Sequence, residues 1–141
     1  MDSMLNALEL NEATGTIVIG RGATGCFQVD IEADEILHPD VDVAVFAIGR
    51  QRSQNYRSIF RKTCAILPRA GGGYSVVVEL ANEDTRDLTP ASYVWTLILV
   101  TDPEYENDGT VIVEDRTDGV YPLWVGENQP AFEVRGVASV I

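Results

Sequence analysis

"VELANEDTRDLTPASYVWTLILV" (Val78–Val100) decides how this chain folds. An apolar strand ends at Leu80, five charges crowd between Glu79 and Asp87, and ten residues of strand-forming type follow without one charge. A chain that must leave one layer of β-structure, cross the end of the core and start another strand needs this order. Acids keep the crossing backbone solvated, Leu88 is placed to tuck under the core, and Pro90 stiffens the approach to the next strand. Tyr93 then falls at the start of that strand, where a tyrosine corner returns the phenol hydroxyl to the backbone of the preceding loop. Tyr93, Trp95, Leu97 and Leu99 alternate onto one face, which makes Trp95 the expected centre of the core.

Outward from this corner the same two-residue period repeats. Strands are expected at 16–20 (TIVIG), 26–32 (CFQVDIE), 41–48 (VDVAVFAI), 63–67 (TCAIL), 74–80, 92–101, 110–115 (TVIVED) and 131–141. VDVAVFAI is apolar on both faces apart from Asp42, as a central strand requires. RGATG, HPD, AGGG, NDG and GENQP supply the turns between them. With no amphipathic crossover helix between strands, the expected architecture is an all-β antiparallel sandwich of seven to nine strands. Helical periodicity appears only at the start, where Ser3 can cap a turn gathering Met4, Leu5 and Leu8. Residues 1–13 are therefore expected as a short arm packing on a neighbour, and residues 14–141 as a single domain.

The 141 residues are 45% apolar, enough to bury a core, and carry a net charge of −12. No apolar run reaches the length of a membrane span, and the acidic opening MDSMLNALEL lacks the basic start of a secretion signal. The two cysteines, Cys26 and Cys64, do not make a disulfide framework and are expected to be reduced and buried. Charge is unevenly placed: residues 50–69 hold six bases and no acid, while 1–49 hold nine acids against one base.

Catalytic signatures are weak, and no enzyme is expected. The single histidine, His38, sits before a proline in a turn, and neither cysteine nor any serine shows the surroundings of an activated nucleophile. Residues 104–115 (EYENDGTVIVED) echo the spacing of a calcium loop through Glu104, Glu106, Asp108 and Asp115. The flanking strands and the NDG step favour a hairpin instead, so no metal or other cofactor is expected. The basic island is the strongest surface feature: Arg50, Arg52, Arg57, Arg61, Lys62 and Arg69 surround Tyr56 and Phe60, and arginine and tyrosine are enriched where proteins dock. Two uses compete, internal pairing with the chain's own acids and docking on an acidic neighbour, another copy of the chain included. The acidic remainder of the chain argues against nucleic acid and membrane as partners.

The segment LANEDTRDLTPASYVWTLIL (80–99), with its Asp-Thr pair, Leu-led loop, tyrosine and alternating strand, resembles the Ig-like N-terminal domain of phage baseplate upper proteins. IGRGATGCFQVDIEAD, VDVAVFAI and IFRKTCAIL extend the resemblance over roughly residues 15–115. RGATG stands where that family often has GDT, and PAS where a Pro-Gly step is common. The resemblance implies an Ig-like β-sandwich and a non-enzymatic role as a bacteriophage virion structural protein, decorating a capsid or adapting a tail baseplate. It implies other virion proteins as partners, a homo-oligomer or array within the particle, and synthesis in the bacterial host cytoplasm. On that reading Met4, Leu5 and Leu8 join the basic island as partner-binding residues. The alternative is a carbohydrate-binding β-sandwich module touching host-surface glycans, with Trp124 and Tyr121 as its candidate platform. Alternation sets those two rings on opposite faces of the strand.

Overall fold

Apolar–polar alternation becomes nine β-strands in the computed structural model, which describes residues 8–31, 43–50, 59–70, 73–101, 103–109, 111–113, 120–124 and 126–136. The strands are β1 Glu9–Leu10, β2 Ile17–Gly20, β3 Gly25–Ile31, β4 Val43–Gly49, β5 Phe60–Pro68, β6 Tyr74–Leu80, β7 Ala91–Val100, β8 Val120–Pro122 and β9 Ala131–Arg135. One short helix, α1 Asn82–Arg86, stands between β6 and β7. Hydrogen bonding links the strands in the order β1-β2-β9-β7-β4-β5-β6-β3, with β8 added on β7. The chain is therefore all-β in architecture, as its alternation requires.

The sheet curls because β5 changes partner along its length. Phe60–Cys64 pairs with β4, and Ala65–Pro68 pairs with β6. That switch carries β6 and β3 over the core, so that Phe27 of β3 meets Phe46 of β4 and Trp95 of β7 edge-on, at centroid distances of 5.8 and 5.4 Å. The nine strands form one mixed sheet that nearly closes on itself, leaving a seam between β3 and the β1 side. It is mixed because β2 runs parallel to β9, Ile17 opposite Phe132 through Gly20 opposite Arg135. The purely antiparallel arrangement expected from the sequence is corrected by this one pair. Two strands separated by almost the whole chain can pair in parallel without a crossover helix, because the intervening domain is itself the connection.

One core fills the inside of the curl: Ile17, Ile19, Phe27, Phe46, Ile48, Cys64, Val76, Val78, Trp95, Leu97 and Phe132 are all buried in it. A second, smaller core lies on the outer face of β4 and β7, where Val45, Ala47, Ile98 and Val100 are covered by Val111 and Val113. The segment between β7 and β8 thus acts as a cover, which explains why β4 and β7 are apolar on both faces. The cover is a hairpin. Tyr105 bridges Val111, the Gly109 N–H donates to the Glu106 carbonyl, and Gly109 takes the left-handed φ of +89° that such a turn asks of glycine. Of the strand expected over 110–115, Val111 forms that bridge, and residues 110, 114 and 115 lie outside the described residues.

The crossing at 79–90 is used by the fold at Asp84, Thr85, Leu88 and the carbonyls of Arg86 and Thr89. Asp84 accepts from the Ala81 N–H at 2.7 Å, closing the first turn of α1, and takes the Lys62 ammonium at 2.5 Å. Thr85 is buried and donates its hydroxyl to the Ala23 carbonyl, while the Arg21 guanidinium donates to the Arg86 carbonyl at 2.7 Å. These bonds tie the corner to the β2–β3 turn. Leu88 is buried beneath it, and the Tyr93 hydroxyl donates to the Thr89 carbonyl at 2.6 Å. The tyrosine corner read from the sequence is present.

Three further expectations change. Leu8 is buried in the main core and Glu9–Leu10 pairs with Ile17–Val18, so residues 8–10 belong to the sheet and not to a free arm. An apolar residue beside a strand edge gains more by covering that edge than by waiting for a partner. Met4 and Leu5 lie outside the described residues, as do His38 and Asp115. β5 begins at Phe60, three residues earlier than expected, because its cations find partners in the α1 helix and the outer cover. Cys64 is buried, but Cys26 is exposed on the outward face of β3, and neither forms a disulfide.

Candidate functional site

Among the described residues the basic island does not come together as one open cationic surface. Of its residues, Arg52, Tyr56 and Arg57 lie outside the described residues. Lys62 is held by Asp84, and the Arg61 guanidinium donates to the Val111 carbonyl at 3.3 Å, pinning the outer cover to β5. Phe60 is half-buried against the main core. Arg69, the last base of the run, approaches Asp30 at 4.0 Å. Arg50 is exposed and lines a hollow of about 390 Å³ beside the corner, together with Ile59, Phe60, Glu83, Asp84 and Asp87. The described half of the island is therefore spent largely on the chain's own acids and carbonyls.

A second concavity lies at the seam of the sheet. It measures about 370 Å³ and runs between the 11–15 turn on one side and the edge of β3 on the other, with Trp95, Trp124, Asn128 and Pro130 behind. Each wall has a local cause. The Asn11 side chain accepts from the N–H groups of Ala13 and Thr14, fixing the turn, and Gly15 adopts φ +77° with Pro130 so close that a Cβ there would stand 3.0 Å from the proline ring. The Gly15 carbonyl accepts from the Trp95 indole N–H at 2.9 Å. Trp124 is held from two directions. Its ring meets Trp95 edge-on at 5.1 Å, and its backbone N–H and carbonyl both bond to the buried Thr96 hydroxyl at 3.1 and 2.9 Å.

The opposite wall is polar. Asp30 Oδ1 accepts from Gln28 Nε2 at 2.7 Å and from the Ser75 hydroxyl at 2.8 Å. The Gln28 bond first, then the Ser75 bond, holds the Asp30 carboxyl below the usual carboxylate range, so it is ionised at neutral pH. Sequence reading set Trp124 and Tyr121, the candidate platform, on opposite faces of the strand, and the structure has Tyr121 exposed on β8 and Trp124 half-buried against Trp95. Sequence reading did not find Thr14, Gln28, Asp30 or Asn128 as a group, since they come from three segments far apart in the chain. The available signal was that the chain has two tryptophans and that one of them, Trp124, stands two residues before the GENQP turn.

No protein-family model matches the chain, and searches of curated proteins and of solved structures return no match. Among the described residues no helix is long and apolar enough to cross a membrane.

Proposed function

We propose that this chain is an Ig-like β-sandwich module of a bacteriophage particle, a non-enzymatic structural protein that docks on other virion proteins. The observation that carries the reading is the strand path around the corner. The parallel pairing of β2 with the last strand, the passage of β5 from β4 to β6 at mid-length, and Tyr93 bonded back to Thr89 support it, the last as the tyrosine corner of Ig-like domains. The Asp-Thr pair on which the phage resemblance rests is used in the same corner, Asp84 as cap and ion-pair partner and Thr85 as the tie to Ala23.

On this reading docking falls to Arg50, Arg52, Tyr56 and Arg57, because Arg61 and Lys62 have internal partners. The rest of the chain supplies a complementary acidic surface for a neighbouring copy, a head-to-tail contact of the kind that builds rings and arrays. The test is particle association. Particles banded by density from a lysate of the producing bacterium should carry the chain, detected with an antibody to it, and high salt should strip it off as charge attraction is screened. Replacing Arg52 and Arg57 by Glu should abolish attachment while leaving the melting temperature unchanged. Recovery of the wild-type chain only in the soluble fraction overturns the proposal.

A further inference from the structure

We infer that the seam cleft is a binding site for one neutral sugar ring, with Trp124 as its apolar floor and Gln28, Asp30, Thr14 and Asn128 as hydroxyl partners. The argument begins with size: about 370 Å³ lies within the roughly 300–1,000 Å³ of small-molecule sites. Composition is the second step. A pyranose presents an apolar C–H face and a rim of hydroxyls, and the cleft offers aromatic rings behind and amide, hydroxyl and carboxylate groups at its walls.

Preorganisation is the third step. The Thr96 clip fixes the Trp124 backbone and the Trp95 contact orients its ring before any ligand arrives, so less freedom remains to be lost on binding. Asp30 is oriented by bonds to its own carboxylate: Gln28 and Ser75 occupy Oδ1, while among the described residues Oδ2 has only the long 4.0 Å approach of Arg69 and keeps acceptor capacity for a hydroxyl. Charge then narrows the ligand class. Glu12 and Asp30 line the cleft of a chain with net charge −12, which disfavours sialylated, sulfated or phosphorylated sugars and nucleotides. The site does not depend on the particle reading, since a chain found outside particles would still bind.

The chain's only two tryptophans both line the cleft, so tryptophan fluorescence, excited where tyrosine does not absorb, reports on this place alone. The full-length protein is titrated with methyl glucoside, methyl galactoside, methyl mannoside and N-acetylglucosamine to about 50 mM, where a site with Kd of about 5 mM is nine-tenths filled. At least one probe should give a saturable change that glycerol at equal concentration does not. Trp124→Ala should weaken it at least tenfold, and glucuronic acid should bind more weakly than glucose. Asp30→Asn, an isosteric change on an exposed side chain, should weaken it severalfold and serves if Trp124→Ala does not fold. Flat titrations with all four probes, a response matched by glycerol, or unchanged affinity in Asp30→Asn would each overturn the assignment.

Discussion

The two faces of β7 are both buried, but by different means. Tyr93, Trp95, Leu97 and Leu99 face a core that draws on β2, β3, β4, β6 and β9, whereas Ile98 and Val100 face a cover made by a hairpin of the same chain. The inner face is held by aromatic packing among four rings and by bonds that reach across the sequence, such as Trp95 to Gly15. The outer face rests on two valines, the bond from Arg61 to Val111 and the short Tyr105–Val111 bridge. A strand apolar on both sides therefore does not by itself report one thick core. It reports that something covers the second face, and the cover can be thin.

The largest expected effect is on the inner face. Trp95→Ala removes a buried ring packed on Phe27, Phe46 and Trp124 and leaves the Gly15 carbonyl without its donor, and should cost about 3–5 kcal/mol of unfolding free energy. Urea denaturation measures it. A cost under about 1 kcal/mol would place Trp95 outside the core. On the outer face, Val111→Ala removes two methyl groups from a small cluster and should cost about 1–2 kcal/mol. The difference should also be one of extent. Hydrogen exchange should quicken across 103–113 in Val111→Ala while β2, β4 and β9 stay protected, whereas Trp95→Ala should quicken all of them.

The tyrosine corner gives the next, smaller effect. Tyr93→Phe keeps the ring in the core but leaves the Thr89 carbonyl without its hydroxyl donor, and should cost about 1–1.5 kcal/mol without loosening the outer cover. An effect as large as that of Trp95→Ala would mean that the corner, and not the ring cluster, organises the inner face.

The comparison also marks what could be read in advance. Each segment whose alternation was strong, 17–20, 25–31, 43–49, 74–80 and 91–100, is a strand within a residue or two of expectation, and the corner was legible down to the Tyr93 hydroxyl. What escaped is non-local. The parallel pairing of β2 with β9 has no local signature, because either register leaves Ile17, Ile19, Phe132 and Val134 facing inward. Phe60–Lys62 reads as part of a basic island, since the partners that let cations sit in a strand, Asp84 and the Val111 carbonyl, lie far along the chain. The crossing at 82–86 reads as a charged loop because a single helical turn is too short to show a period. The cleft was invisible for the same reason: four segments build it, and only Trp124 had drawn notice.

The two thiols sharpen the contrast with the smallest perturbation. Cys64 lies on the β5 half paired with β4 and faces the inner core, whereas Cys26 lies exposed on β3. Burial, ahead of every other influence, pushes the Cys64 thiol up to about 11 from 9.0, so it stays protonated where an unfolded chain would ionise. The sign follows: the unfolded state releases its proton first, so Cys64 favours folding below about pH 9, and that contribution is lost as pH rises towards about 11. At neutral pH an aromatic disulfide reagent should modify Cys26 promptly and Cys64 only through opening of the inner core. Val111→Ala should leave the slow phase nearly unchanged, and Trp95→Ala should accelerate it at least tenfold. Equal acceleration by both variants would show that the thin cover guards the inner core as well, and the two faces would then have to be treated as one cooperative unit.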